Sequence, residues 1–225
     1  MTRYHWLTLA AVLAAAACTD TTVTPDPTGN LRVVNGASSA GQIVVYLDGQ
    51  ALSAPISPGM GSAMDVPTGV HDVELRSVSG FGFTRTALFN EGKPVIVVGL
   101  DSAGRVTPSL LADTGAIVPA GASKLRVAHM ASVATPISIW RTQPDYGTMI
   151  RVQFPFHYRD VSPYLQSTPG DWRVMVSSET NVAGSVAMPD TLANSGVISV
   201  ADGASRTVVI VNAVGGGVAV VVVDP

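Results

Sequence analysis

The residue whose chemistry is most readily assigned is Cys18. It is the only cysteine in the chain and follows an alanine-rich apolar run, Leu7–Ala17, which is preceded by Arg3 and by no acidic residue. A positive start, a short apolar segment and small residues before a cleavage point are typical of a bacterial export signal, and a cysteine just after them is typical of a lipoprotein. Because a lone cysteine cannot form an intrachain disulfide, we expect its thiol to be acylated by a fatty acid such as palmitate.

The same segment has two other interpretations. A transmembrane helix needs about 20 apolar residues to cross the bilayer, and the run from Trp6 to Ala17 is too short for one. Secretion with simple cleavage stays open, because Ala15 stands where a lipoprotein signal usually has leucine. The sequence therefore predicts a signal peptide over residues 1–17.

The residues after the cysteine predict where the protein is held. Residues 18–29 contain two prolines and no apolar periodicity, so we expect a lipidated cysteine followed by a flexible, disordered tether. Thr19 follows the cysteine in place of the aspartate that retains enteric lipoproteins at the inner membrane. We therefore expect a bacterial cell-envelope protein with the membrane as a partner through its lipid anchor, and the outer membrane is favoured over the inner one.

The composition argues for folded domains and against a nucleic-acid partner. Removal of residues 1–17, which contain one arginine and no acid, changes the formal net charge from −3 to −4. That balance leaves no basic patch for a phosphate backbone. Hydrophobic residues make up 47% of the chain and charged residues only 13%, so a large core can be buried.

Residues capable of catalysis or metal binding are scattered through the sequence. It contains no Gly-x-Ser-x-Gly, no Ser-x-x-Lys and no glycine-rich phosphate loop. Its later histidines, His71, His129 and His157, are isolated and lack metal-ligand spacing. We expect His71 to be a core histidine and His129 to bond a neighbouring loop backbone. No catalytic residue, metal site or cofactor is predicted.

An aromatic segment with interleaved arginines, residues 146–164, departs from this pattern. It contains five of the chain's ten phenylalanine and tyrosine residues. Tyrosine and arginine are enriched at interfaces, and aromatic faces stack on sugar rings. The candidate surface for an envelope glycan or protein partner consists of Tyr146, Tyr158, Arg159 and Tyr164. Alternatively, Phe154, Phe156 and Tyr158 alternate on one strand and pack against the core or the first half of the chain.

An internal repeat indicates that two domains position these residues. Three blocks recur in order, and their first copies are Leu31–Ser38, Ile43–Tyr46 and Pro67–Leu75. Their second copies are Leu125–Ser132, Ile137–Trp140 and Thr168–Val176. The offset is 94 for the first two blocks and 101 for the third, so repeat two carries seven extra residues between them. The closing blocks, Val95–Val98 and Val208–Val211, predict an offset of 113.

Each repeat has the pattern of a β-sandwich. Apolar residues alternate with polar ones over short runs, as in Ile43–Leu47, and turn residues such as Asp48-Gly49 separate the runs. The last run, Val218–Val223, is apolar throughout, so we expect it to be covered on both faces. The sequence therefore predicts an all-β protein with two tandem immunoglobulin-like or transthyretin-like β-sandwich domains, residues 30–112 and 123–225.

The repeated blocks resemble a known bacterial family. The runs Arg32–Ser38, Ile43–Gly49 and Val66–Arg76 are similar to the motifs of the exported family called domain of unknown function 4397, whose members are commonly tandem. Repeat two keeps the family's histidine as His129, whereas repeat one has Asn35 in its place. The resemblance implies the fold and export, and it supplies no catalytic or ligand-binding residue.

These observations favour a noncatalytic, lipid-anchored envelope protein that acts as a binding, adhesive or structural module. The alternative is an envelope enzyme of the hydrolase class whose site is dispersed in the sequence. A pocket with clustered histidine, aspartate or glutamate side chains would favour the enzyme.

Overall fold

The computed structural model describes residues 26–80, 82–103, 105–111, 117–134, 136–178 and 190–224. Within these ranges the chain forms seventeen β-strands and no helix, which confirms the predicted all-β class. Consistently, no membrane-spanning helix is found among these residues. The predicted signal peptide and Cys18 lie outside the described ranges.

Repeat one folds its strands into a single sheet that closes over a core. Its strands are β1 (Thr28–Asn35), β2 (Ile43–Leu47), β3 (Gln50–Ala51), β4 (Gly61–Pro67), β5 (Gly69–Ser77), β6 (Gly82–Phe89), β7 (Pro94–Ser102) and β8 (Arg105–Leu111). Their order is β3-β2-β5-β6-β8-β7-β1-β4. The sheet turns where β6 meets β8 at the single pair Gly82 and Val106. A Cβ on Gly82 would lie 2.0 Å from the carbonyl oxygen of Leu75, so only glycine fits this close approach.

Repeat two forms the same layers, but its strands are divided between two separate sheets. Its strands are β9 (Ser123–His129), β10 (Ile137–Thr142), β11 (Met149–Phe156), β12 (Leu165–Ser167), β13 (Gly170–Ser178), β14 (Thr191–Asn194), β15 (Ile198–Val200), β16 (Ser205–Asn212) and β17 (Val218–Val223). One sheet has the order β11-β10-β13-β14, with β15 also paired to β13, and the other has the order β12-β9-β16-β17. A core containing Leu125, Ile139, Val176 and Val208 lies between the two sheets.

Strand registers show how the two repeats correspond. Val45 pairs with Leu75 in repeat one, and Ile139 pairs with Val176 in repeat two, which reproduces the predicted offsets of 94 and 101. The parallel pairing of the closing strands gives an offset that differs from the one predicted from the sequence. Leu31 lies opposite Val95, whereas Leu125 lies opposite Arg206. The offset of the closing strand is therefore 111, and the predicted 113 is wrong because a run of similar valines can be aligned two residues out of step without changing which face is buried.

Most of the seven-residue expansion of repeat two lengthens one hairpin. In repeat one the hairpin from β2 ends at the bridge between Ile43 and Ile56. In repeat two the equivalent pair is Ile137 and Phe156, and the returning strand β11 has eight residues where β3 has two. The insertion therefore adds a long edge strand to the β10–β13 sheet.

A third apolar cluster joins the two repeats. It combines residues of β1, β7 and β8 with residues of β9, β16 and β17, and its most deeply buried members are Val34, Val98, Ala128, Val209 and Val211. The backbones come close enough that a Cβ on Gly36 would lie 2.9 Å from Cγ1 of Val211. Val218 belongs to the repeat-two core while Val221 belongs to the shared cluster, so β17 is covered on both faces as its apolar run predicted.

Candidate functional site

The outer face of the β10–β13 sheet begins with Trp140. Ile137 and Ile139 of β10 point into the repeat-two core, so alternation places Trp140 on the opposite side. The Trp140 indole Nε1 donates to Oγ of Ser177 on β13 at 2.9 Å. That bond fixes the ring on the face turned away from the core.

The lengthened strand β11 adds an arginine and a second ring. Arg151 lies opposite Trp140 in the strand register. The Arg151 guanidinium carbon is 5.8 Å from the centre of the Trp140 ring and 5.5 Å from the centre of the Phe154 ring. Both distances are within the range of a cation–π contact, so one exposed cation lies between two aromatic rings.

A second pair continues the face across β13. The Arg173 guanidinium lies 5.4 Å from the centre of the Tyr146 ring, and Arg173 Nε donates to the carbonyl of Pro144 at 3.2 Å. The Tyr146 hydroxyl accepts from Nδ2 of Asn194 on β14 at 3.0 Å. These contacts connect the hairpin loop to strands on the far side of the sheet.

These side chains form one surface, which we call the aromatic–arginine face. Its members are Trp140, Tyr146, Arg151, Phe154 and Arg173. Across the described part of the chain, the ion pairs are His71–Asp48, Arg76–Glu74, His157–Asp160 and Arg206–Asp224. Neither arginine of the face is therefore paired with a described carboxylate.

The equivalent face of repeat one is electrically different. Tyr46 occupies the Trp140 position, and the Arg76 guanidinium lies 4.0 Å from the centre of its ring. Arg76 also donates two hydrogen bonds to Glu74, at 2.6 and 2.7 Å. This arginine holds the pKa of the Glu74 carboxyl below its usual range. The cation in repeat one is therefore neutralised by a neighbour on its own strand.

The predicted surface residues do not all lie together. Tyr146 belongs to the aromatic–arginine face, but Tyr158 packs against the shared cluster between the repeats. Arg159 is exposed, and its backbone N–H donates to the carbonyl of His129 at 2.6 Å. The Tyr164 ring lies 4.8 Å from the guanidinium carbon of Arg126, a buried residue of β9. Three of the four residues thus lie along the β9 side of repeat two.

Two phenylalanines of the aromatic segment have separate positions. Phe156 is buried in the repeat-two core, as predicted for this residue. Phe154 is only partly buried and contacts Arg151 on the outer face, so it does not share the face of Phe156. Under simple alternation these two residues would share a face. The register shift between β10 and β11 interrupts that alternation.

Sequence reasoning missed Trp140, Arg151 and Arg173 as members of the face. A signal for one of them was present in the repeat itself. At the offset of 101, Asp72 and Glu74 of β5 correspond to Arg173 and Met175 of β13. A replacement of acid by base on an outward-facing position marks a changed surface.

The two buried polar residues at equivalent strand ends support loops. The Asn35 side chain donates to the carbonyls of Gly41 and Ile56 at 2.8 and 2.9 Å and accepts from the Ala37 N–H at 3.0 Å. His129 Nε2 donates to the carbonyl of Ala134 at 2.8 Å, as expected for a residue that bonds loop backbone. Burial lowers the pKa of His129, so the imidazole is held neutral.

His71 is half-buried instead of fully enclosed. Its Nδ1 lies 2.6 Å from Oδ2 of Asp48, and Oδ1 of Asp48 accepts from the Asp72 N–H at 2.9 Å. The hydrogen bond to Asp48 raises the pKa of His71, and the same bond lowers the pKa of Asp48. The pair holds the β2–β3 turn against β5, so its role is structural.

Arg141 is an unusual residue at the inner face of the same sheet. It occupies the position of Leu47, a member of the repeat-one core. The Arg141 guanidinium carbon lies 4.5 Å from the centre of the Trp172 ring, and its Nη1 donates to the carbonyl of Gln166 at 3.4 Å. Burial lowers its pKa. An inward-facing cation therefore replaces a core leucine at this end of the sandwich.

The described residues form a groove but no metal-binding cluster. A groove of about 540 Å³ runs between β4 and β17 and is lined mainly by valines, small residues, Met60, Arg32 and Asp224. No group of three or more His, Cys, Asp or Glu side chains within the described ranges converges on a metal position. The groove holds no cluster of titratable side chains of the kind that general acid–base catalysis needs.

Comparison with known families supports the resemblance in the sequence motifs. Residues 29–140 match the family described as domain of unknown function (DUF4397). The matched region covers all of repeat one and continues to Trp140 in repeat two. No curated protein matches the chain.

The solved structures that match this chain are remote from it. The Bacillus anthracis TIE protein has 8% identity and a TM-score of 0.26, covering 82% of this chain and 34% of that protein. A leucine-rich repeat protein from Bacteroides thetaiotaomicron has 11% identity and a TM-score of 0.22, with 81% and 26% covered. The chain thus spans about a third and about a quarter of these two proteins.

A smaller protein matches over most of both chains. The family CBM26 module of Eubacterium rectale Amy13K, solved in complex with maltoheptaose, has 11% identity and a TM-score of 0.23, with 87% of this chain and 97% of that one covered. At these TM-scores the similarities carry no functional information.

Proposed function

We propose that the protein is a noncatalytic, lipid-anchored module of the bacterial cell envelope that binds a glycan or protein partner through the aromatic–arginine face. In this proposal repeat two is a second, divergent copy of the same family domain, and its lengthened hairpin is the part that acquired binding. The observation that carries the proposal is the position of the Arg151 guanidinium between the Trp140 and Phe154 rings on an outward sheet face.

The chemistry of this face suits binding better than stability. Aromatic rings and arginines bury large areas on contact and are enriched where proteins meet partners. Repeat one folds with a two-residue strand at the equivalent place, so the outward-facing residues of β11 have no counterpart that its sandwich needs. An extended, shallow sheet face also fits a polymer or a protein surface better than a small metabolite.

The proposed anchor places this face in the envelope, with the outer membrane favoured. The full chain should partition into detergent and incorporate a fatty-acid analogue when expressed in a bacterial host. Cys18→Ala should abolish the label. Label retained in Cys18→Ala would contradict the anchor without affecting the binding proposal.

Binding is tested with a triple variant of the face and a matched control. Tyr146→Ala, Arg151→Ala and Phe154→Ala together should abolish binding to isolated envelope polysaccharide or to an envelope protein partner, with little change in melting temperature. The control is Phe83→Ala with Arg105→Ala, an exposed arginine–phenylalanine pair of repeat one with a ring distance of 5.8 Å. Equal binding by the triple variant and the control would place the site elsewhere.

The alternative envelope enzyme makes a different prediction. Turnover of an envelope substrate that survives the triple variant would favour a dispersed hydrolase site over the binding module.

A further inference from the structure

The aromatic–arginine face has a charge that differs from the rest of the protein. The chain carries a formal net charge of −3, yet Arg151 and Arg173 lie on one sheet face without a described carboxylate partner. On the equivalent strand of repeat one, two acids, Asp72 and Glu74, occupy the positions of Arg173 and Met175. The face is therefore more basic in repeat two than in repeat one.

The arginines are also arranged to leave hydrogen-bond donors available. A guanidinium that lies over an aromatic ring keeps its N–H groups in its own plane, where they can still meet a planar acceptor. Arg173 donates from Nε to the carbonyl of Pro144, and Arg151 contacts two aromatic rings. Both can donate further hydrogen bonds at the surface.

We infer that the ligand of this face is an acidic polysaccharide that carries carboxylate groups. The inference rests on the proposed function and names its ligand class. Carboxylates of successive sugar acids meet Arg151 and Arg173, because arginine binds a carboxylate through paired N–H donors. The apolar faces of the sugar rings contact Phe154 and Tyr146, whose rings lie beside the two cations.

Physical reasoning separates this ligand from a neutral glycan. Stacking alone would recognise a neutral sugar, and it is insensitive to salt. A charged contact at an exposed face is screened by salt, because the Debye length falls from about 30 Å at 0.01 M to about 3 Å at 1 M ionic strength. Binding that combines ring contact with carboxylate recognition must lose affinity both when salt is added and when the carboxylates are capped.

The test compares two polymers that have the same sugar backbone and different charge. Polygalacturonate and its methyl-esterified form share the same ring and linkage, and esterification removes the negative charge. The full chain should bind polygalacturonate at least roughly tenfold more tightly than the ester, a difference of about 1.4 kcal/mol. High salt should reduce this preference.

Matched variants assign the preference to the two arginines. Arg151→Gln with Arg173→Gln keeps polar side chains and removes both charges, so it should abolish the preference for the acid form. Arg105→Gln in repeat one should leave the preference unchanged. Phe154→Ala with Tyr146→Ala should weaken binding of both polymers, because it removes the ring contacts.

Each result bears on one proposal or on both. Equal binding of acid and ester by the unaltered chain, lost in the triple variant of the face, would overturn the ligand class and keep the binding function. A preference for the acid form that survives the double glutamine variant would also overturn the inference. If neither polymer is bound while an envelope protein is captured through the face, the ligand class is wrong. If nothing is bound, both proposals fail.

Discussion

At the residue scale, the two repeats support an equivalent loop with different side chains. The loop after the first strand of each sandwich must be held against the strand end, and its backbone groups must be satisfied. Asn35 does this with an amide, and His129 does it with a neutral imidazole. A second support is also shared. Asp101 accepts from the backbone N–H of Ser39 at 3.0 Å, and Asn212, its equivalent in register, accepts from the N–H of Ser132 at 2.9 Å.

Replacement of His129 by the residue of repeat one tests this equivalence. The folded pKa of His129 is below the value of about 6.5 expected in the unfolded chain. As pH falls through 6.5, the unfolded state takes up a proton that the folded state resists, so stability is lost on acidification. His129→Asn should keep the stability near pH 7 within about 1 kcal/mol and remove this part of the acid loss. Thermal melts between about pH 7 and pH 5 measure it, and parallel pH profiles would contradict it.

A second exchange between the repeats concerns Arg141, where the repeat-one residue is apolar. Arg141→Leu restores the residue that repeat one buries at this position, and it removes a half-buried cation from the inner face. We expect the free energy of unfolding to rise by about 1 kcal/mol, because an apolar side chain is easier to desolvate than a guanidinium. The reciprocal Leu47→Arg should lower it by about 2 kcal/mol. Denaturant unfolding measures both, and a loss of stability in Arg141→Leu would show that the contact with Trp172 is worth more than the burial.

At the element scale, β17 is the strand on which two cores depend. Its alternating valines divide between the repeat-two core and the shared cluster, so each face of one edge strand closes a different apolar layer. The exposed fraction is 8% for Val221 and 37% for Val222. Neighbouring positions of the same strand therefore provide a matched pair.

An aspartate placed at each of these two positions should have unequal effects. Val221→Asp puts a charge into the shared cluster and should cost about 3 kcal/mol or more, whereas Val222→Asp should cost about 1 kcal/mol. Chemical unfolding monitored by intrinsic tryptophan fluorescence gives both values. Similar losses would mean that the shared cluster adds little to stability.

Strand positions were predictable from the sequence, whereas their tertiary partners were not. Alternation over Ile43–Leu47 and the Asp48-Gly49 turn are local signals, and both appear in the structure as predicted. The contact of Trp140 with Arg151 depends on a register shift between two strands, which no local pattern encodes. Likewise, an apolar strand such as β16 shows that both of its faces are buried, but it does not show that repeat one covers the second face.

At the scale of the whole molecule, the repeats share a core instead of sitting at the ends of a free linker. The sequence predicted two sandwiches, and each does have its own apolar cluster. The third cluster lies between them and contains side chains from six strands. Arg32 of β1 also donates from Nε to the carbonyl of Asp224, just after β17, at 3.1 Å. Separation of the repeats would expose this apolar layer to water.

Fragments of the chain test this arrangement. A fragment of residues 121–225 contains every strand of repeat two, so it should fold with a β-type circular dichroism spectrum. Because its β9, β16 and β17 face would be uncovered, it should bind a fragment of residues 26–111 in a one-to-one complex. Size-exclusion chromatography with light scattering measures the association. Two monomers that ignore each other would show that the shared cluster is too weak to hold the repeats.

The shared cluster also determines how the protein responds to mechanical load. Tension applied through the proposed N-terminal anchor would enter along β1, which is hydrogen-bonded on both sides, to β4 and β7. Pulling along a strand strains its ladder of hydrogen bonds together, whereas peeling from an edge would break them one at a time. A partner bound to the aromatic–arginine face would pull on repeat two. The force would therefore be transmitted through the apolar layer between the repeats. The molecule should therefore behave under tension as a short, stiff strut, and its resistance should fall sharply in Val221→Asp even where ligand affinity is unchanged.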